Sequence, residues 1–184
     1  MKHTVKTILF IGLALIALFG MTGCPQNQSF GKPVDPALIL RTDGYGKITG
    51  CKCAKEELPA ALVIPAKIGN EEIKEIGSAA FAGYTGLTSL DLSGCTSLTT
   101  IGTGMTGRAF LNCTGLTGIS LPASLTTIGQ DAFLNCTGLT SAVFAVTDGW
   151  KAGGTSISSS DLANAEVAAK YLRQTYVYKF WRKS

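Results

Sequence analysis

Histidine is all but missing from this chain: the single copy, His3, precedes an apolar segment at the extreme N-terminus. With such a leader removed, no imidazole is left to act as the base of a Ser-His-Asp or Cys-His site or to ligate a metal. Charge is scarce as well, at 15% of the 184 residues. Between Ile76 and Thr147 it is confined to Asp91, Arg108 and Asp131. Without residues 1–23 the chain holds 14 basic and 12 acidic residues, a net charge of +2. That is too little for a general nucleic-acid-binding face. The apolar run Ile8–Phe19 has twelve residues. As a helix it rises roughly 18 Å, short of a bilayer core of about 30 Å. These absences point away from catalysis and toward a structural or binding protein. No enzyme activity, cofactor, metal, nucleic acid or small-molecule substrate is expected.

What is present begins with an export signal. Lys2 and Lys6 precede the apolar run, and small and polar residues follow it, so residues 1–23 read as a signal peptide. The stretch Gly20-Met21-Thr22-Gly23-Cys24 resembles the lipobox of bacterial lipoproteins, with Met21 where an aliphatic residue such as leucine is usual. The resemblance implies that Cys24 carries lipid and becomes the first residue. Each acyl chain would contribute about 0.8 kcal/mol per buried CH2, so several chains anchor stably. Residues 24–36, with Pro25, Pro33 and Pro36, then form a polar tether from that cysteine.

An internal repeat dominates the remainder. Asn112-Cys113-Thr114-Gly115-Leu116-Thr117 recurs unchanged at Asn135–Thr140, 23 residues later, and Ala109-Phe110 recurs at Ala132-Phe133. A looser copy holds Ala80-Phe81, Tyr84 and Gly86-Leu87-Thr88. Ile76-Gly77, Ile101-Gly102 and Ile128-Gly129 mark a second shared position. The 29-residue spacing from Phe81 to Phe110 carries six extra residues, four before Phe110 and two around Ser93–Thr96. Such insertions belong in loops. Leu87, Leu90, Leu92, then Leu116, Ile119, Leu121, then Leu139, Ala142, Phe144 follow the L-x-x-L-x-L pattern of leucine-rich repeats. Their alternation suits a strand with one buried face.

The segment LPASLTTIGQDAFLNCTGL, residues 121–139, resembles the unit of the BspA-like, treponemal-type leucine-rich-repeat family, and Leu62–Gly77 resembles its first repeat. The resemblance implies a short leucine-rich-repeat solenoid of about three to four coils. Its strands should line the concave face, with irregular or short helical segments on the convex side. It also implies a bacterial cell-envelope protein, often surface-exposed, with members acting as adhesins for host or partner-cell proteins.

The ends of a solenoid need covers. Residues 37–60 supply an N-terminal hairpin from Ala37–Leu40 and Lys47–Gly50, joined by an Asp43-Gly44 turn. The repeats occupy 61–147, and 148–184 form the C-terminal cap. There a helix is expected from the Ser158–Asp161 caps to about Thr175, burying Leu162, Ala165, Ala168, Ala169 and Leu172. The aromatic and basic tail Tyr176–Ser184 reads as a capping strand, the alternative being contact with a membrane or acidic polymer.

Cys113 and Cys136 share a repeat position and should form a ladder of buried thiols about 4.8 Å apart, and Cys95 fills a similar structural slot. Cys51 and Cys53 read as exposed thiols or as a bridge to a partner. Glu56, Glu57, Glu71, Glu72 and Glu75 lie among Lys55, Lys67 and Lys74 and read as a solvated face. The Asn27, Asn112 and Asn135 sequons carry little weight, the last two being expected to face inward.

The binding candidates are the residues between the inward leucines: Ser89, Asp91, Gly118, Ser120, Ser141 and Val143. They span roughly 15–20 Å of sheet, so their area falls below the roughly 800 Å² per partner of a standard interface. A protein ligand should therefore bind weakly per copy. Many lipid-anchored copies would restore avidity. The other reading is a periplasm-facing structural or assembly scaffold with no external ligand.

Overall fold

A computed structural model describes residues 35–103 and 106–184. The signal peptide, Cys24, Asn27 and nearly all of the tether lie outside the described residues. The N-terminal cap opens with one helical turn, α1 (Pro36–Ile39), whose first free N–H, that of Ala37, donates to the Asp35 carboxylate at 2.9 Å. Ala37–Ile39 is therefore helical, not strand, and the hairpin begins at Leu40, three residues later than expected. It pairs β1 (Leu40–Thr42) with β2 (Lys47–Cys51), antiparallel. In the turn, Asp43 accepts hydrogen bonds from the Tyr45 and Lys47 nitrogens, and these hold its pKa below the usual carboxylate value.

β3 (Ala61–Val63) follows, then a two-residue antiparallel pair, β4 (Lys67–Ile68) with β5 (Glu71–Glu72), and then β6 (Glu75–Ile76). From there each coil contributes two short strands: β7 (Ser89–Asp91) and β8 (Thr100–Ile101), then β9 (Gly118–Leu121) and β10 (Thr127–Ile128). β11 (Ser141–Phe144) starts the last coil. β12 (Trp150–Ala152), β13 (Thr155–Ser156), α2 (Ser159–Ala163), α3 (Ala165–Lys170), a π-helical turn over Tyr171–Thr175, and β14 (Trp181–Lys183) complete the chain.

Apart from the β4–β5 pair, the described strands form two sheets that face each other across the core. One is wholly parallel, in the order β11-β9-β7-β3, with Leu62, Leu90, Ile119 and Ala142 in register. The other runs β1-β2-β6-β8-β10-β14-β12-β13. Its inner strands align Ile48, Ile76, Ile101 and Ile128, all buried. The repeated isoleucines thus add a second sheet to the side expected to hold only turns and short helices. A two-residue strand is too short to stand alone, and it persists because each coil hydrogen-bonds the next.

A third ladder closes each coil. The rings of Phe81, Phe110 and Phe133 stack with centroids 5.4 and 5.2 Å apart and planes within 15° of parallel. All three are buried, and each side chain contributes about 1.5–3 kcal/mol of apolar burial. The backbone turns sharply on either side of each ring. The residues two before it (Ala79, Arg108, Asp131) and two after it (Gly83, Asn112, Asn135) all have positive φ. Asparagine tolerates that region better than other non-glycine residues. This explains why the Asn112 and Asn135 side chains are exposed, contrary to the inward orientation expected; Asn135 donates to Asn112 Oδ1 at 2.8 Å. Glycine is demanded three residues further on. A Cβ at Gly115 or Gly138 would fall 2.0 or 2.5 Å from a carbonyl oxygen of the preceding coil.

The last coil is closed by the C-terminal segment. Trp150 and Trp181 are buried against Phe144, with Tyr176 edge-on to Trp181. β14 pairs antiparallel with β10, and α3 packs along β11, so both open edges are covered. The helix expected to run unbroken to Thr175 is interrupted. Asn164 adopts an extended backbone, and its side chain accepts from the Glu166 and Val167 nitrogens, starting α3 afresh. The expected apolar face survives the break, because Leu162, Ala168, Ala169 and Leu172 are buried and Ala165 is half-buried.

Candidate interaction surface

On β7, β9 and β11 the inward positions are taken by Leu90, Ile119, Leu121, Ala142 and Phe144, so the alternate residues must face outward. The parallel register sets these in two rows across the sheet: Ala61-Ser89-Gly118-Ser141 and Val63-Asp91-Ser120-Val143. All six residues expected from the sequence therefore share one face. Ser89 and Val143 are exposed, while Asp91, Gly118, Ser120 and Ser141 are half-buried between their neighbours. Asp91 is the face's only charge, and its Oδ1 accepts from the Ser93 nitrogen at 2.9 Å.

Two further members, Ala61 and Val63, come from the first strand. Their signal was present in the sequence: Leu62-Val63-Ile64-Pro65 repeats the pattern of Ile119-Ser120-Leu121-Pro122. Val63 is 61% exposed and Val143 is 51% exposed, at opposite ends of the same row. That row is therefore polar in the middle and apolar at both ends.

The threonines that make the repeats polar are committed elsewhere. Thr88, Thr117 and Thr140 each donate to a carbonyl of the coil before, at 2.9, 2.9 and 3.3 Å. Thr99 and Thr126 repeat the arrangement beside the second sheet. The thiols behave alike. Cys113 Sγ lies 2.9 Å from the Phe81 carbonyl, Cys136 Sγ 3.0 Å from that of Phe110, and Cys95 Sγ 3.0 Å from that of Ile64. All three are free and fully buried, as the repeat register required. Burial pushes their pKa values to about 12 for Cys95, about 11 for Cys113 and about 12 for Cys136. None is a nucleophile near neutral pH.

Cys51 and Cys53 are also buried, correcting their expected exposure, because the N-terminal cap folds over them. The Cys51 thiol is free, and desolvation raises its pKa. The acidic cluster is likewise less solvated than expected. Glu71 is half-buried and accepts from the Gly46 nitrogen and, at 2.6 Å, from the Thr42 hydroxyl, tying the hairpin to the first coil. Lys47 pairs with Glu75 at 2.9 Å and Lys67 with Glu72 at 3.4 Å. No group of three or more potential metal ligands occurs among the described residues.

The geometry is that of a stacked repeat with one open parallel sheet. The family model for the BspA type leucine rich repeat region matches residues 66–169, in six copies. The chain belongs to this BspA-type leucine-rich-repeat family. The matched region of this BspA-type protein runs past the last parallel strand and into α3. Its fold is similar to the crystal structure of a leucine-rich-repeat protein of T. pallidum. The two share 30% identity over 63% of this chain and 51% of that one, with a TM-score of 0.51. A leucine-rich cell surface protein of Faecalibacterium prausnitzii A2-165 is 26% identical over 58% of this chain and 29% of its own, with a TM-score of 0.42. The chain thus spans about half the length of the first and less than a third of the second. No curated protein matches it. Leucine-rich repeats of this kind are a protein-interaction module.

Proposed function

We propose that this protein is an exported lipoprotein, anchored through Cys24, that displays its parallel sheet to a protein on a host or neighbouring cell. The observation that carries the reading is the open outer face of that sheet. Ser89, Asp91, Gly118, Ser120, Ser141 and Val143, flanked by Ala61 and Val63, lie in two in-register rows, outside the threonine and cysteine ladders that join the coils. The leader 1–23 and the small residues before Cys24 support export and lipidation. The face is small and lacks the tryptophan and arginine anchors of strong hot spots. Single copies are weak binders, and display on a surface multiplies them.

Protease treatment of intact cells tests this, with wild type beside Cys24→Ser. The expected result is that wild type is shaved from the cells and the variant is released into the medium, while mass spectrometry finds acyl chains on an N-terminal Cys24. Protection until the outer membrane is broken would replace the adhesin with a periplasm-facing scaffold. An unacylated Cys24 held in a disulfide would remove the anchor.

A further inference from the structure

The C-terminal end of the solenoid carries a local net charge of +3. Residues 148–184 hold six basic and three acidic groups. Four of the six cations lie on or beside one antiparallel strand pair. The register of β12 and β14 sets Lys151 directly opposite Arg182, and Trp150 opposite Lys183. Both tryptophans point into the core, so Lys151 and Arg182 point outward and are exposed. Lys179 lies over the adjoining β12–β13 turn, where a Cβ on Gly153 would fall 2.8 Å from its side chain.

Like charges directly opposite one another on neighbouring strands repel. Carboxylates normally relieve such a pair, yet none does so here. The three ion pairs among the described residues are Lys47–Glu75, Lys67–Glu72 and Arg108–Asp131. Arg182 instead packs its guanidinium over the Phe180 ring, 4.9 Å from the centroid. Tyr178, beside Lys179 in sequence, is 62% exposed.

We propose that this strand pair docks on a lipid surface rich in anionic phosphate headgroups, with Lys151, Lys179 and Arg182 as its contacts. The cations are spread over an open strand pair and line neither the cavity of about 350 Å³ beside Asn135 and Arg173 nor that of about 390 Å³ beside Tyr45 and Lys67. A flat array fits a plane of many phosphates better than one small anion. An exposed tyrosine beside the array suits the membrane–water boundary, where amphipathic rings collect. The choice of lipid over another polyanion rests on the proposed export to the envelope, but the contact itself does not require acylation of Cys24.

The test is co-sedimentation of the full chain with vesicles of phosphatidylcholine alone and of phosphatidylglycerol mixed with phosphatidylcholine, at low and high salt. The N-terminal segment, with Lys2 and Lys6, contributes equally to wild type and variants, so the difference between them reads the strand pair. Each basic residue near an anionic surface favours binding by about fivefold. The paired change Lys151→Gln with Arg182→Gln should therefore reduce the preference for anionic vesicles about 25-fold. Lys151→Glu with Arg182→Glu should reduce it further, and high salt should abolish it in the wild type. Circular dichroism checks that the variants are folded, and the glutamine pair serves if the glutamate pair is not. The Cys24→Ser chain should keep the preference, so a failed anchor and a failed patch are read separately. A wild type indifferent to lipid charge overturns the proposal, as does a preference untouched by either double variant. Binding to dextran sulfate but not to anionic vesicles overturns it in favour of an acidic polymer.

Discussion

At the scale of single residues, the polar side chains of the repeats join coils to one another. Each threonine hydroxyl and each thiol of the ladders meets a backbone carbonyl one coil earlier, where a buried oxygen would otherwise lack a second partner. The thiols have a measurable consequence. Their folded pKa values, about 11 to 12, lie above that of an unfolded thiol, about 8.5. The protonated form is the one folding favours. The stabilisation is therefore complete below pH about 8.5 and is lost as pH rises from there through about 12. Thermal melts of wild type and Cys136→Ala across this range should converge as pH rises, because the variant lacks one of the titrating groups. A constant gap between the two melting curves would sink the idea. In the same register, native protein at pH about 8 should resist thiol alkylation at Cys95, Cys113 and Cys136 until denaturant is added.

At the scale of elements, local rules decide where each piece stops. A helix pattern alone carries Ser159 to Thr175 as one unit, since Leu162, Ala165, Ala168, Ala169 and Leu172 keep helical spacing. Asn164 breaks it because a side chain that can cap two free backbone N–H groups competes with continued helix. Glu71 is the corresponding device at the other end, a partly buried carboxylate clamping Thr42 and Gly46. Glu71→Ala should loosen the hairpin by about 1–3 kcal/mol, the usual cost of leaving such donors unpaired. Hydrogen exchange would show this as lost protection over residues 40–51, with residues 110–136 unchanged. Uniform loss along the chain would mean that hairpin and repeats open together.

At the scale of the whole molecule, short coils are stable only as a stack with covered ends. Backbone groups of one coil bond the next along the series, and at the end Asp131 donates its N–H to the Val177 carbonyl, so the cap stands in for a further coil. Trp181 is the centre of that cover. Trp181→Ala should cost about 3–5 kcal/mol, as large aromatic truncations in cores do. It should also promote self-association, because freeing β14 uncovers the edge of β10. Calorimetry and light scattering read the two effects. A destabilised variant that stays monomeric at all concentrations would show that the β10 edge is protected by something other than β14.

Much of this was legible in the sequence because a repeat states its register many times over. Phe81, Phe110 and Phe133, the leucines of the parallel strands and the paired cysteines had to stack, since identical units placed side by side bury identical positions. The sequence also set the six outward positions, by strand alternation alone. Features without a second copy were not legible. The break at Asn164, the clamp by Glu71, the burial of Cys51 and the facing of Lys151 against Arg182 each depend on a neighbour distant in the chain. Asn112 and Asn135 show the same boundary within the repeat itself: the sequence fixes that they are equivalent, but only the left-handed backbone beside each stacked phenylalanine decides that they face water.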